Sequence, residues 1–577
     1  MHASPRFAKL LLIAYCAVLS AIYIFALVNA PLSLLSAAGH DDGLFIAIGR
    51  QLAALQWLGP YNEFTLAKGP GYPAFLALSD VFGLPPSLAR ALFHCAAVAL
   101  FAVLCHRWLR SYLLTALLFT FLLWDPASFL GQNLRILRDT IYYGQVLVAA
   151  GFLAHALLAR DVAAAVLGGL VLAWAWLTRE EGLWLAPGLA VLVAAGLYRA
   201  IADRALLRFA VAGLVAVAAF AAVNGAFRAM NWKRYGAPVG VEYKEPNFVR
   251  AIGAIHGVRS GEVKPYVSVT RATRQNIYPV SPSFAELAPY LDGALGERWS
   301  RSRCEIEAHR DTCGEVASDV FAWALRDAAA RAGHHASAAN ASAFYGRIGD
   351  EISAACERKQ LACERQVFAE LPPYSWAQLG TVPQRILNAI VMVLYSRWQS
   401  VDGVPSLGLI EQFRADLAFL HYPFIKQPDA VNGDIRFDAA SSGLSELFQP
   451  QRVNALSYRI RETVMRNFEF IRVPLLIVGL IAAFACLVWW RAAFLNPAYV
   501  LALTMWALAA SRILLIALLD ATFYPLTINP VYLAPASFAM TAAAVLSIAA
   551  WLKLRGAQLL KGSAATPRPR PRASASG

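Results

Sequence analysis

"LLLIAYCAVLSAIYIFALVNAPLSLLSAAGHDD", residues 10–42, decides the class of this chain. Residues 10–30 carry no charged side chain, and about 20 apolar residues suffice to cross the hydrocarbon core of a bilayer. Two adjacent carboxylates, Asp41 and Asp42, follow almost at once. They are either solvated charges at a bilayer surface or part of a site held against the membrane face. The topology of the rest of the chain bears on the choice.

Of the 577 residues, 58% are hydrophobic and 15% charged, with a mean hydropathy of +0.49. Soluble domains carry roughly 25% charged residues. Apolar runs recur at about 88–105, 111–124, 141–159, 162–178, 182–198, 206–226, 472–490, 498–519 and 530–552. The expected fold is therefore an α-helical polytopic membrane protein with about ten transmembrane helices.

Arg6 and Lys9 precede the first run, which places the N-terminus in the cytoplasm. Alternation then sends Arg107 and Arg110, Arg160, Arg199, Arg204 and Arg208, Arg491 and the basic C-terminal segment to the cytoplasmic side. Asp41, Asp42, Glu63, Asp125, Asp139, Glu180, Glu181 and Asp520 fall on the outer side. The net charge of +14 is thus a topology signal rather than a sign of a nucleic-acid partner. "LVNA" (27–30) has the small residues of a cleavage site, but the apolar run before it is long for a signal peptide. "RILNAIVMVLYSRW" (385–398) has an apolar core of about ten residues, too short to span, and reads as an interfacial helix.

The chain divides into a transmembrane region, 1–227, with an outer loop at 31–87, and an extracytoplasmic, mostly helical domain, 228–470. C-terminal transmembrane helices, 471–555, and a disordered basic cytoplasmic tail, 556–577, complete it. In the outer domain, Ser283-Phe-Ala-Glu286 has the spacing of a capping box. Cys304, Cys313, Cys356 and Cys363 form two sequence-local pairs on the oxidising side. Two disulfides, Cys304–Cys313 and Cys356–Cys363, are expected, since the spacings lack the close CxxC form of a metal site. Cys16, Cys95, Cys105 and Cys486 lie in apolar runs and read as packing residues. His334-His335 reads as a helix-end or loop pair, because no third ligand stands nearby. No Walker loop, dinucleotide fingerprint or HExxH motif is present.

The outer loops share one chemistry. Glu63 and Lys68 join the acidic pair in the first, Arg135, Arg138 and Asp139 end the second, and Arg179, Glu180 and Glu181 form the third. Arginine forks grip phosphate oxygens and lysine adds a point charge. A carboxylate can take a proton from a hydroxyl or hold a divalent cation. Both roles are open for the acidic pair, with Asp41, nearer the span, favoured as the base. Arg512 lies inside an apolar run, eight residues before Asp520, or about 12 Å along a helix. It either pairs with Asp520 or serves a ligand.

A first span, an acidic pair, an outer loop and "TLAKGPGYPAFLAL" (65–78) resemble the GT-C glycosyltransferases, multi-spanning enzymes that use polyprenyl-phosphate sugars. Protein mannosyltransferases and lipid A aminoarabinose transferases belong to them. The resemblance implies a catalytic aspartate at Asp41 or Asp42 and a lipid-phosphate contact at Lys68. Ala67 stands where those relatives have glutamate, a role Glu63 would take over. Val531 in "NPVYLAPASFAM" (529–540) stands where they have a phosphate-binding arginine, a role Arg512 would take over. The expected activity is sugar transfer from a polyprenyl phosphate to a glycan, lipid or protein acceptor at the periplasmic face of a bacterial inner membrane. Lys68, Arg135, Arg138, Arg179, Glu180 and Arg512 would hold the donor. A lipid-linked-sugar flippase or other secondary transporter, and a non-enzymatic envelope protein presenting its outer domain, are the alternatives. One-sided charge favours surface chemistry over passage through the bilayer.

Overall fold

In a computed structural model, the structure describes residues 5–30, 34, 39–130, 134–261, 263–304, 306–364, 373–395, 410–421, 425–426, 448–449 and 455–564. Almost all regular structure in them is helical; the strands are one parallel two-residue pairing, Ile425–Lys426 with Phe448–Gln449. Among the described residues, eight helices are long and apolar enough to cross a membrane. Two expected spans are shorter, Tyr112–Leu123 and Val162–Thr178. Both start on a side-chain cap, Ser111 accepting from Leu114 N and Asp161 accepting from Ala164 N, which satisfies a free amide at the helix start. The chain is a multi-pass helical membrane protein.

Residues along these helices fall to opposite ends of the bundle by alternation. At one end Arg160 pairs with Asp203, and Lys553 Nζ donates to Trp108 O at 2.6 Å. At the other lie Asp42, Arg135, Arg138, Asp139, Arg179 and Glu180, joined by ion pairs. There too Ser537 Oγ donates to Asp125 at 2.8 Å and accepts from Arg472 Nη2 at 2.7 Å, with the guanidinium 3.8 Å from the carboxylate.

The expected boundaries at 227/228 and 470/471 fall inside helices Leu206–Tyr235 and Ala455–Cys486. Hydropathy detects only the apolar part of each, while the backbone hydrogen bonds continue into the polar part. The last helix, Pro530–Ala564, likewise runs past residue 556; of the expected tail, 565–577 lies outside the described residues. The short helix Val382–Leu394 buries Ala389 and Val393 in the bundle core. Residues 396–398 of that expected interfacial segment lie outside the described residues.

The outer block has its own core. Phe248, Ile252, Phe321, Leu325, Phe344 and Ile348 pack together on helices Pro246–Gly257, Ser318–Arg331 and Ala338–Glu357. Disulfides Cys304–Cys313 and Cys356–Cys363 form as expected, and the four other cysteines are free. The cap near residue 283 differs from the expectation. Ser281 accepts from Phe284 N, while Ser283 Oγ donates to Glu351 at 2.8 Å. Pro282 has its φ set for the first helical position, so the cap falls one residue before it. His334 Nε2 meets Glu286 at 2.8 Å and His335 Nε2 meets Tyr345 Oη at 2.9 Å, both histidines lying in the 3₁₀ turn His334–Ala336.

The first outer loop is clamped between bundle and block. Arg326, fully buried, donates from Nε and Nη2 to Glu63 O at 2.9 and 2.7 Å and pairs with Glu242. Tyr235 Oη donates to Gly59 O at 2.8 Å. These contacts hold helices Asp42–Ala53 and Gly71–Val81 in place.

Candidate functional site

The Gly-Pro-Gly turn after Lys68 owes its composition to a close approach. A Cβ on Gly69 would lie 2.0 Å from Leu177 O, and one on Gly71 2.3 Å from Thr178 Oγ1. Only glycine lets the turn seat on the end of helix Val162–Thr178. There Trp174 Nε1 donates to Gly71 O at 2.9 Å, and Gly69 N donates to Glu180 Oε1 at 3.2 Å.

That seating aims Lys68 back at the acidic pair. Its Nζ donates to His40 O at 2.5 Å, pairs with Asp41 Oδ1, and lies 5.1 Å from the Phe45 ring. The two aspartates diverge. Asp42 opens helix Asp42–Ala53, is fully buried, and accepts from Arg135 Nη2 at 2.5 Å and Ile136 N at 3.3 Å. An acid in the first helical turn also suits the helix dipole. Asp41 precedes the helix and keeps 45% of its side chain accessible.

Charge then continues from loop to loop. Arg138 donates to Glu180 at 2.6 Å. Arg179 pairs with Asp139 and holds Glu181 through Nε and Nη2 at 2.9 and 3.2 Å. Lys244, from the outer block, donates to Trp176 O and Arg179 O at 3.2 and 3.3 Å.

The electrostatics follow. Burial raises the carboxyls of Asp41, Glu180 and Glu181, but Lys68, Arg138 and Arg179 respectively outweigh it and leave all three below the ordinary range. Burial lowers Lys68 despite Asp41 and takes Lys244 down to about 8 against the pull of Glu180. His40 falls to about 4 through burial and the neighbouring Lys68 charge, so it is neutral near pH 7.

Arg512 is buried where this row meets the membrane helices. Its Nε donates to Tyr532 O at 2.8 Å, and its guanidinium lies 5.3 Å from the Trp184 ring. Arg179 lies 5.2 Å from the Tyr532 ring, so the two guanidiniums flank one tyrosine. Nη1 and Nη2 of Arg512 have no hydrogen-bond partner.

Of the two readings of Arg512, the pair with Asp520 is absent. Arg385 reaches Asp520 at 2.9 Å and Ile528 N reaches it at 3.0 Å. The separation along the helix was too long for the direct pair, and a neighbouring helix supplied the cation. Glu63 lines a cavity with His40 and Trp323, while the carboxylates acting on Lys68 are those of Asp41 and Glu180. Val531 packs with Phe45 and Tyr72, while Arg512 reaches the carbonyl of the next residue, Tyr532.

Lys244 and Tyr532 were missed. Lys244 lies far along the chain in a polar stretch with no spacing signal, and only the docking of the outer block brings it here. Among the described residues no three His, Cys, Asp or Glu side chains converge on a metal site. Asp41 and Asp42, aimed at different cations, do not form a chelating pair. Chemically, the arrangement offers two partly accessible carboxylates, Asp41 and Glu181, beside a row of cations, the last with unmade hydrogen bonds.

No family model and no curated protein matches the chain. Among solved structures it is similar to ArnT from Cupriavidus metallidurans, in a crystal structure bound to undecaprenyl phosphate and in one of the apo state. Identity is 13% and 14%, the TM-score is 0.31 in both, and the alignments cover 98% of this chain and 82% and 81% of that one.

Proposed function

We propose that this chain is a glycosyltransferase that moves a sugar from a polyprenyl-phosphate donor to an acceptor hydroxyl at the periplasmic face of a bacterial inner membrane. The observation that carries the reading is the buried Arg512 guanidinium with two unpartnered Nη groups. Leaving a buried donor unmade costs about 1–3 kcal/mol, and a phosphate satisfies both arms of the fork at once. Arg512 lies within helix Pro497–Thr522, about 12 Å from Asp520 along its axis. A phosphate at that depth belongs to a lipid.

Charge balance supports this. Lys68, Arg138, Arg179, Lys244 and Arg512 stand with Asp41, Asp139, Glu180 and Glu181, five cations with four carboxylates. The excess matches a phosphodiester monoanion. In the transfer, the acceptor oxygen forms its bond to the anomeric carbon, the hydroxyl proton passes to Asp41, and the bond from that carbon to the phosphate oxygen breaks. The electron pair leaves with polyprenyl phosphate, and Lys68 and Arg512 stabilise the charge that grows there. As Lys68 turns to the phosphate, Asp41 loses the cation that depresses its carboxyl and becomes a better base. Asp42 holds the loop through Arg135. The two sides of the bundle favour this chemistry over transport, since the cationic row lies at one end.

Binding of undecaprenyl phosphate to the purified protein tests the reading. Arg512→Lys keeps the charge and loses the fork, so affinity should fall about tenfold or more; Arg512→Met should fall further. Wild-type affinity in both folded variants would refute it.

A further inference from the structure

Beside Asp41, where the first loop meets the outer block, is a cavity of about 130 Å³. One wall is aromatic. The His40 ring lies 4.4 Å from Trp323, 5.2 Å from Trp299 and 5.3 Å from Phe64. The other wall is polar. Asp327 accepts from Arg298 and Trp299 Nε1, each at 3.3 Å, and from Arg331 at 3.2 Å, and Glu63 completes the lining.

We infer that this cavity binds a single pyranose ring of a glycan acceptor, its apolar face against the tryptophans and its hydroxyls on Asp327 and Glu63. The inference rests on the glycosyltransferase reading and adds the acceptor class to it. Size is of the right order for one ring: an apolar cavity of about 150 Å³ holds benzene, and the hydroxyls of a pyranose would extend from it toward the polar wall. Charge fits as well. Arg298, Arg326 and Arg331 are met by Asp327, Glu63 and Glu242, so no net field draws an anion, and a neutral, hydroxyl-rich ligand is the match. Carboxylate and guanidinium edges accept from and donate to vicinal hydroxyls, and aromatic faces cover the C–H side of the ring. Position fits too. His40 is the residue before Asp41 and also receives Lys68 Nζ on its carbonyl, so a ring held on His40 sits next to the base.

The test uses the full chain in detergent, with methyl α-D-glucopyranoside and methyl α-D-mannopyranoside followed by saturation-transfer NMR. Undecaprenyl phosphate binding is measured in parallel. At least one pyranoside should bind in the millimolar range, and Trp299→Ala and Asp327→Asn should each weaken it about tenfold. Trp299→Phe, which keeps a ring in place, should retain most of the affinity and guards against a folding artefact. Absence of pyranoside binding, or binding that the variants leave unchanged, overturns the cavity assignment while intact lipid-phosphate binding preserves the donor reading. Pyranoside binding without lipid-phosphate binding removes the donor reading and with it the acceptor role.

Discussion

Replacing each of the adjacent aspartates by asparagine should separate catalysis from architecture. Asparagine keeps the shape and removes the charge. Asp41 is 45% accessible, and its partner Lys68 also donates to His40 O at 2.5 Å. Lys68 is only 12% exposed, so the pair contributes about 1–2 kcal/mol, between an exposed and a buried pair, and Asp41→Asn should still fold. Loss of a positioned base, by contrast, slows turnover by roughly 10²–10⁴-fold. For Asp42 the order reverses. Its carboxylate is fully buried against Arg135, which is 21% exposed, and also accepts from Ile136 N. Breaking a buried pair costs about 3–5 kcal/mol; the partial exposure of Arg135 brings this to about 2–3 kcal/mol. Asp42→Asn should therefore lose folded protein and melt earlier, while the folded fraction turns over within a few-fold of wild type. Release of polyprenyl phosphate from a polyprenyl-phosphate sugar, in membrane vesicles that supply acceptor, gives the rate. Size exclusion and thermal unfolding give the folded amount. Near-full turnover in both variants would return the pair to plain surface charge. Loss of turnover in Asp42→Asn at unchanged stability would show that the assignment of the two residues is inverted.

Arg472→Met should destabilise the bundle by about 3–5 kcal/mol, because Asp125 remains buried without its cation; adding Asp125→Leu should restore much of the loss in thermal unfolding, and no recovery in the double variant would contradict the pairing. Lys244 offers a pH test. Its folded value, about 8, lies below the 10.5 of a free lysine, so the unfolded chain binds more protons between these values and stability rises with pH from about 8 to about 10.5. The rise should be smaller in Lys244→Met, and identical pH profiles of melting temperature would refute it. Reporter fusions at position 350 and at the C-terminus should read outside and inside respectively; a cytoplasmic signal at 350 would remove the shared outer face on which the site depends.

Hydropathy along the chain was enough to determine a multi-pass helical membrane protein, because the bilayer tests each segment of about 20 residues nearly independently of the rest. Charge alternation grouped the outer carboxylates and arginines for the same local reason. The disulfides were legible because each joins cysteines only a few residues apart, in a block with globular composition. Helix ends at Tyr235, Ala455 and Ala564 were not, since amphipathic turns beyond an apolar run leave hydropathy unchanged in kind.

The site itself belongs to tertiary structure. That Asp42 is buried and Asp41 accessible follows from where helix Asp42–Ala53 starts and from Arg135 packing over it. That Asp520 takes Arg385 and leaves Arg512 open, that Glu180 meets the lysine turn, and that Lys244 joins the row, all depend on partners 65 or more residues apart. A buried charge is stable only with a partner at hydrogen-bond distance. Which residue comes that close is set by helix packing and by the docking of the outer block, and neither leaves a period or a spacing in the sequence.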